Sequence, residues 1–158
     1  MKRLLAITII LLSIASCTFV NVSRTLNDVE SYIMERPDSA LAMLESIDRG
    51  NLGTARIKAH HALLYAMALD KNYIDVTEDS IAKVATEYYK KYGPRRNYAR
   101  ALYYLGKSYY YNEEYDKAIL EYSKAEKVAV GCDSLYLGMI YSGKSYTYNC
   151  NYNSSQEA

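Results

Sequence analysis

The sequence has no tryptophan, one phenylalanine and two prolines in 158 residues. With proline confined to Pro37 and Pro94, little interrupts a helix, and from Asn27 onward no segment alternates apolar and polar residues as a half-buried strand does. An excess of either charge is also missing. The formal net charge is +1, and it becomes −1 without residues 1–16, which hold Lys2, Arg3 and no acid. That balance supplies no basic face of the kind nucleic acid requires, so nucleic acid is not an expected partner. The only histidines, His60 and His61, are adjacent, which points them about 100° apart on a helix and rules them out as an i, i+4 metal pair. One is expected at a surface or groove and the other packed. No Ser/His/Asp grouping stands out, so no catalytic residue, metal or cofactor is expected and the chain is read as non-enzymatic.

Tyrosine is abundant instead. There are 19, of which 16 lie between Tyr88 and Tyr152. A tyrosine buries a large ring while keeping a polar tip wet, which suits thin helical layers with much half-exposed surface and can furnish a sticky groove. Half of the chain is hydrophobic and 23% charged, the balance of one ordinary folded domain.

Residues 1–16 have the parts of an export signal: Lys2 and Arg3, an apolar run from Leu4 to Ile14, and the small pair Ala15-Ser16. The apolar run is too short to span a bilayer core of about 30 Å as a permanent helix. Ile14-Ala15-Ser16-Cys17 resembles a bacterial lipobox. That resemblance implies cleavage before Cys17, a diacylglycerol on its thiol and an acyl chain (palmitate) on the new amine. Residues 17–23 then form a tether, and the body, 24–158, hangs from a membrane of the cell envelope on the periplasmic side or at the outer membrane. In that oxidising compartment Cys132 and Cys150 bracket a helix of about 16 residues, about 24 Å at 1.5 Å per residue, which predicts no disulfide between them.

Apolar spacing places helices at about 24–35, 38–48, 54–70, 78–92, 95–112, 115–129 and 133–149, with a last one from near 152. Asp38-Ser39, Asp79-Ser80 and Asp133-Ser134 stand where N-caps are needed, and Gly50, Gly93 and Gly131 where helices end. The three Asp-Ser-apolar triplets also look like the O-glycosylation motif of exported Bacteroidota proteins, with capping as the plainer explanation.

Gly106-Lys107-Ser108-Tyr109 recurs 37 residues later as Gly143-Lys144-Ser145-Tyr146, and Tyr111, Asn112 and Tyr115 recur as Tyr148, Asn149 and Tyr152. A period in the 30s is that of one helical hairpin in a solenoid. Residues 99–132 resemble the tetratricopeptide repeat (TPR). Leu102, Leu105, Gly106 and Tyr109 take its large, large, small and aromatic positions in the first helix, and Ala118, Tyr122 and Ala125 the small, aromatic and small positions of the second. The next unit, from Tyr136, carries Gly143 and Tyr146 at the small and aromatic positions. Segments Leu63–Leu69 with Ile81-Ala82, and Asp38–Ile47, read as fainter repeats. The expected fold is all-α, a TPR-like solenoid of three to four hairpins. Its last hairpin is incomplete at Ala158, so the chain is expected to be a piece of a longer envelope sensor or regulator, or to have its open end completed by a partner.

Gly138-Met139-Ile140-Tyr141-Ser142-Gly143-Lys144-Ser145 matches the phosphate-loop pattern. A working phosphate loop joins a strand to a helix, whereas these residues read as helix interior with bulky side chains between the glycines, so nucleotide is not an expected ligand.

In TPR proteins the first helix of each hairpin lines the concave face. The resemblance carries that role to Arg100, Tyr103, Lys107, Tyr110 and Tyr111, and in the next unit to Leu137, Ile140, Lys144, Thr147 and Tyr148. Lys107 with Lys144 and Tyr111 with Tyr148 would form a ladder of cations and rings. The expected function is a membrane-anchored protein- or peptide-binding module, a sensor or scaffold of the envelope. The alternative is a glycan-uptake accessory lipoprotein that stacks sugars on the tyrosines.

Overall fold

A computed structural model of the chain describes residues 22–157, whose regular structure is all helical, with no strand among them. Helix α1 covers residues 22–32. It is followed by α2 (Pro37–Ser46), a single 3-10 turn (Arg49–Leu52), α3 (Ala55–Lys71), α4 (Asp79–Lys91), α5 (Arg95–Tyr111), α6 (Tyr115–Ala129) and α7 (Ser134–Glu157). The export-signal and lipobox readings, Cys17 included, fall outside the described residues. No described helix is long and apolar enough to cross a membrane.

Each helix from α2 to α7 packs on the next, and α3 touches α5 as α5 touches α7. Alternate helices therefore stand side by side, with α4 and α6 behind them, an arrangement compatible with a solenoid of helical hairpins. Small residues make the close approaches. Ala99 and Ala101 on α5, and Ala118, Ala125 and Ala129 on α6, are fully buried, beside Leu102 and Tyr122. Gly106 and Gly143 both abut Tyr122: an added Cβ would lie 2.8 Å from its ring at Gly106 and 3.1 Å at Gly143. The repeated glycines thus admit one ring between three helices, and the phosphate-loop pattern is interior to α7.

The turns show which polar residues stop each helix. Thr54 accepts the Ile57 N–H at 3.3 Å and caps α3, and Asp133 accepts the Tyr136 N–H at 3.3 Å and caps α7. Asp38 and Asp79 do not cap. They lie within the first turns of α2 and α4, behind Arg36 and Glu78, which make no side-chain cap bond. An acid inside the first turn still complements the positive end of the helix dipole, and Asp79 also pairs with Lys83 at 2.5 Å. Gly93 and Gly131 take positive φ after α4 and α6 as expected, but Gly50 sits within the 3-10 turn and Gly53, at φ 59°, ends it.

No new helix starts near 152, because α7 runs unbroken to Glu157. Asn149-Cys150-Asn151 contains neither glycine nor proline, so nothing there breaks the i to i−4 ladder. Cys132 and Cys150 form no disulfide.

Candidate functional site

A cavity of about 400 Å³ opens between α5 and α7 with α6 as its floor. Helix α5 contributes Tyr103, Lys107, Tyr110 and Tyr111, and α6 contributes Tyr122. From α7 come Met139, Ser142, Gly143 and Tyr146. Five of the nine lining residues are tyrosines, and no carboxylate or amide side chain is among them. Tyr103 and Tyr122 are 6% and 1% exposed, yet neither hydroxyl meets a hydrogen-bonding partner among the described residues, and no fully buried polar atom is unsatisfied. Both hydroxyls therefore open onto the cavity. Burial pushes both phenols well above their ordinary titration range, so they stay protonated donors.

Lys107 stands at the edge of this cavity and of a neighbouring one of about 270 Å³ bordered by Asp70, Tyr73 and Asp75. Its ammonium is ion-paired with Asp70 at the end of α3 and lies 5.3 Å from the Tyr111 ring centroid. Burial disfavours its charge, but the Asp70 bond and the surrounding groups more than compensate, and its pKa is raised. The cavity edge is thus cationic in form but locally neutral, because Asp70 answers the charge.

The second unit's groove residues do not line the cavity. Ile140 and Thr147 are fully buried, Thr147 bonding the Gly143 carbonyl at 2.8 Å, and Leu137 packs against the core. Lys144 pairs with Glu126 on α6 at 2.8 Å, and Tyr148 is half exposed elsewhere. The reason is geometric: equivalent residues of two side-by-side helices point the same way, so the space between them is lined by opposite flanks. On α7 the relevant flank is Met139, Ser142 and Tyr146, an i, i+3, i+7 stripe that carries no motif of its own in the sequence.

Tyr146 itself corrects an expectation. Its repeat position matches that of Tyr109, which packs against the core near Lys83 and Lys117. Instead it is 66% exposed on the cavity lip, because no described element covers that flank of α7.

Arg100 is likewise not in the groove. Its Nε donates to the nearly buried Asp133 at 2.8 Å, and its guanidinium lies 4.8 Å from the Tyr136 ring centroid. Arg96 approaches the same carboxylate at 3.7 Å, and Glu30 lies 3.8 Å from Arg100 and 2.9 Å from His60. This network ties α1, α3, α5 and the start of α7 together. Beneath it Tyr104 and Tyr136 share a buried 2.7 Å hydrogen bond, and burial pushes the Tyr136 phenol up to about 12. Of the two histidines, His61 is packed, 4% exposed, as one was expected to be, whereas His60 is neither a surface nor a groove residue but part of the ion network, its side chain 16% exposed.

No group of three or more metal-ligating side chains occurs among the described residues. Compared with family models, curated proteins and solved structures, the chain matches none. Its class is accordingly the one defined by the fold: an all-helical protein of packed hairpins with a tyrosine-lined cavity.

Proposed function

We propose that the chain is a non-enzymatic, lipid-anchored binding module of the bacterial envelope, built from TPR-like hairpins, that takes an extended peptide on the α5–α7 face. The observation that carries this reading is the pair of buried, unpartnered phenols of Tyr103 and Tyr122 facing an otherwise aromatic cavity. Such a lining accepts an apolar or aromatic anchor side chain, while the two hydroxyls donate to a carbonyl beside it. Sugar sites draw on planar carboxylates and amides for paired hydrogen bonds, which this lining lacks, so the peptide reading is preferred to glycan stacking. With Lys107 answered by Asp70, the anchor is neutral rather than acidic.

A peptide array probed with the wild type, Tyr146→Ala and the cavity-filling Ser142→Trp tests this. Peptides with a single aromatic or large aliphatic residue should be retained by the wild type and lost by both variants. Equal retention by all three would remove the groove from consideration, and retention of oligosaccharides in place of peptides would favour the glycan reading. Tethering is tested separately, by incorporation of an alkyne fatty acid into the wild type and its absence in Cys17→Ala.

A further inference from the structure

A second cavity, about 350 Å³, lies apart from the tyrosine-lined one, between the 3-10 turn, α3 and the start of α4. Its volume falls in the range of small-molecule sites. Arg49 and Lys58 line it, and neither takes part in an ion pair among the described residues. No carboxylate lines it. The nearby acids are engaged elsewhere, Asp48 on the Gly50 N–H at 2.9 Å and Asp79 on Lys83.

The same cavity holds a polar atom that no described residue bonds. His61 lines the cavity though only 4% exposed, and its Nε2–H donates to the Leu44 carbonyl at 3.0 Å. A carbonyl can only accept, so the proton is on Nε2 and Nδ1 keeps a lone pair. No described residue bonds Nδ1, and no polar atom is left both fully buried and unpaired, so Nδ1 opens onto the cavity. Burial, opposed by the Leu44 hydrogen bond and aided by Arg49 and His60, holds the imidazole below its ordinary pKa. The Tyr65 ring lies 5.8 Å from the His61 ring at 16° and 5.0 Å from the Arg49 guanidinium, and Leu52 and Ile81 supply apolar wall.

We propose that this cavity binds a small phosphate monoester with a compact apolar or aryl body. Its anionic oxygens meet Arg49 and Lys58, its remaining P–OH donates to His61 Nδ1, and its body rests on Leu52, Ile81 and the Tyr65 ring. A cationic pair alone would take any anion. The bare Nδ1 selects one that also brings a hydrogen-bond donor.

Phenyl phosphate titrated into the full-length protein at pH 6, where the ester keeps much of its second proton, provides the test by calorimetry and by the His61 ring-proton shifts. It should bind about tenfold or more tightly than inorganic phosphate, phenol or benzenesulfonate, the last having no O–H. Arg49→Ala and Lys58→Ala, both at exposed positions, should each weaken it about tenfold while the protein stays folded, Arg49→Ala melting slightly lower for its lost Tyr65 contact, and Tyr146→Ala should leave binding unchanged. Absence of saturable binding, or binding indifferent to both cation variants, would overturn the site. Benzenesulfonate binding as tightly as phenyl phosphate would overturn the role given to Nδ1. Because the readout is confined to this cavity, its failure is separate from failure of the peptide groove.

Discussion

Tyr122 and Gly106 are closer together than any side chain at position 106 would permit: a Cβ there falls 2.8 Å from both Cδ1 and Cε1 of the ring. The ring's hydroxyl end meets Gly143, where a Cβ would lie 3.1 Å from Cζ. One phenol thus sets the spacing of α5, α6 and α7 and floors the cavity.

Three alanine substitutions should therefore rank by contact. Gly106→Ala pushes on a fully buried ring and is expected to cost about 1–3 kcal/mol. Gly143→Ala should cost less, since its neighbour must give by only a few tenths of an ångström. Gly138→Ala, with nothing within 4 Å, should stabilise by about 0.5–1 kcal/mol through helix propensity. Urea melts measure all three.

Arg100 is expected to matter to stability more than to binding. Arg100→Met strips the main partner from Asp133, whose side chain is 6% exposed, and should cost about 3 kcal/mol, moderated by the nearby Arg96. Thermal melts check the loss, and peptide retention by the folded variant should be unchanged.

The same network predicts an acid-sensitive contribution from Glu30. The His60 hydrogen bond, opposed by partial burial and aided by Arg100 and Arg96, holds its carboxyl below the ordinary 4.5. A depressed carboxylate contributes stability above its unfolded pKa and loses it as pH falls through the lower folded value. Melting temperature should accordingly drop below pH 4.5 in the wild type, and less steeply in Glu30→Gln.

Tyrosine hydroxyls should separate into two kinds. Tyr136→Phe breaks the buried bond to Tyr104 and should cost about 1–2 kcal/mol. Tyr103→Phe and Tyr122→Phe remove hydroxyls that no described residue uses, so stability should stay within about 0.5 kcal/mol while peptide retention falls. Parallel melts and array binding read the contrast.

Much of the helical order was legible in the sequence, because apolar spacing and a few turn residues are local signals. The α6 boundaries, the Asp133 cap and the small-residue positions of Gly106 and Gly143 could each be read from position alone; that both glycines meet Tyr122 could not. The caps at Asp38 and Asp79 could not, since an acid is equally at home one residue inside a helix. The first-unit groove residues Tyr103, Lys107, Tyr110 and Tyr111 do border one cavity. Extending the role by a fixed offset to Ile140, Lys144 and Tyr148 failed, because a cavity between neighbours uses opposite flanks.

By itself the sequence determined an all-helical body, rich in half-exposed tyrosine, with glycines spaced to let helices approach. Periodicity and small-residue placement suffice for that, being properties of single segments. Only the tertiary structure decided the fate of each lysine and tyrosine. Lys107 and Lys144 are answered by Asp70 and Glu126 from other helices, and Tyr146 stays exposed because no described element covers it. Charge neutralisation and burial depend on which distant residues arrive alongside, information that no local pattern carries.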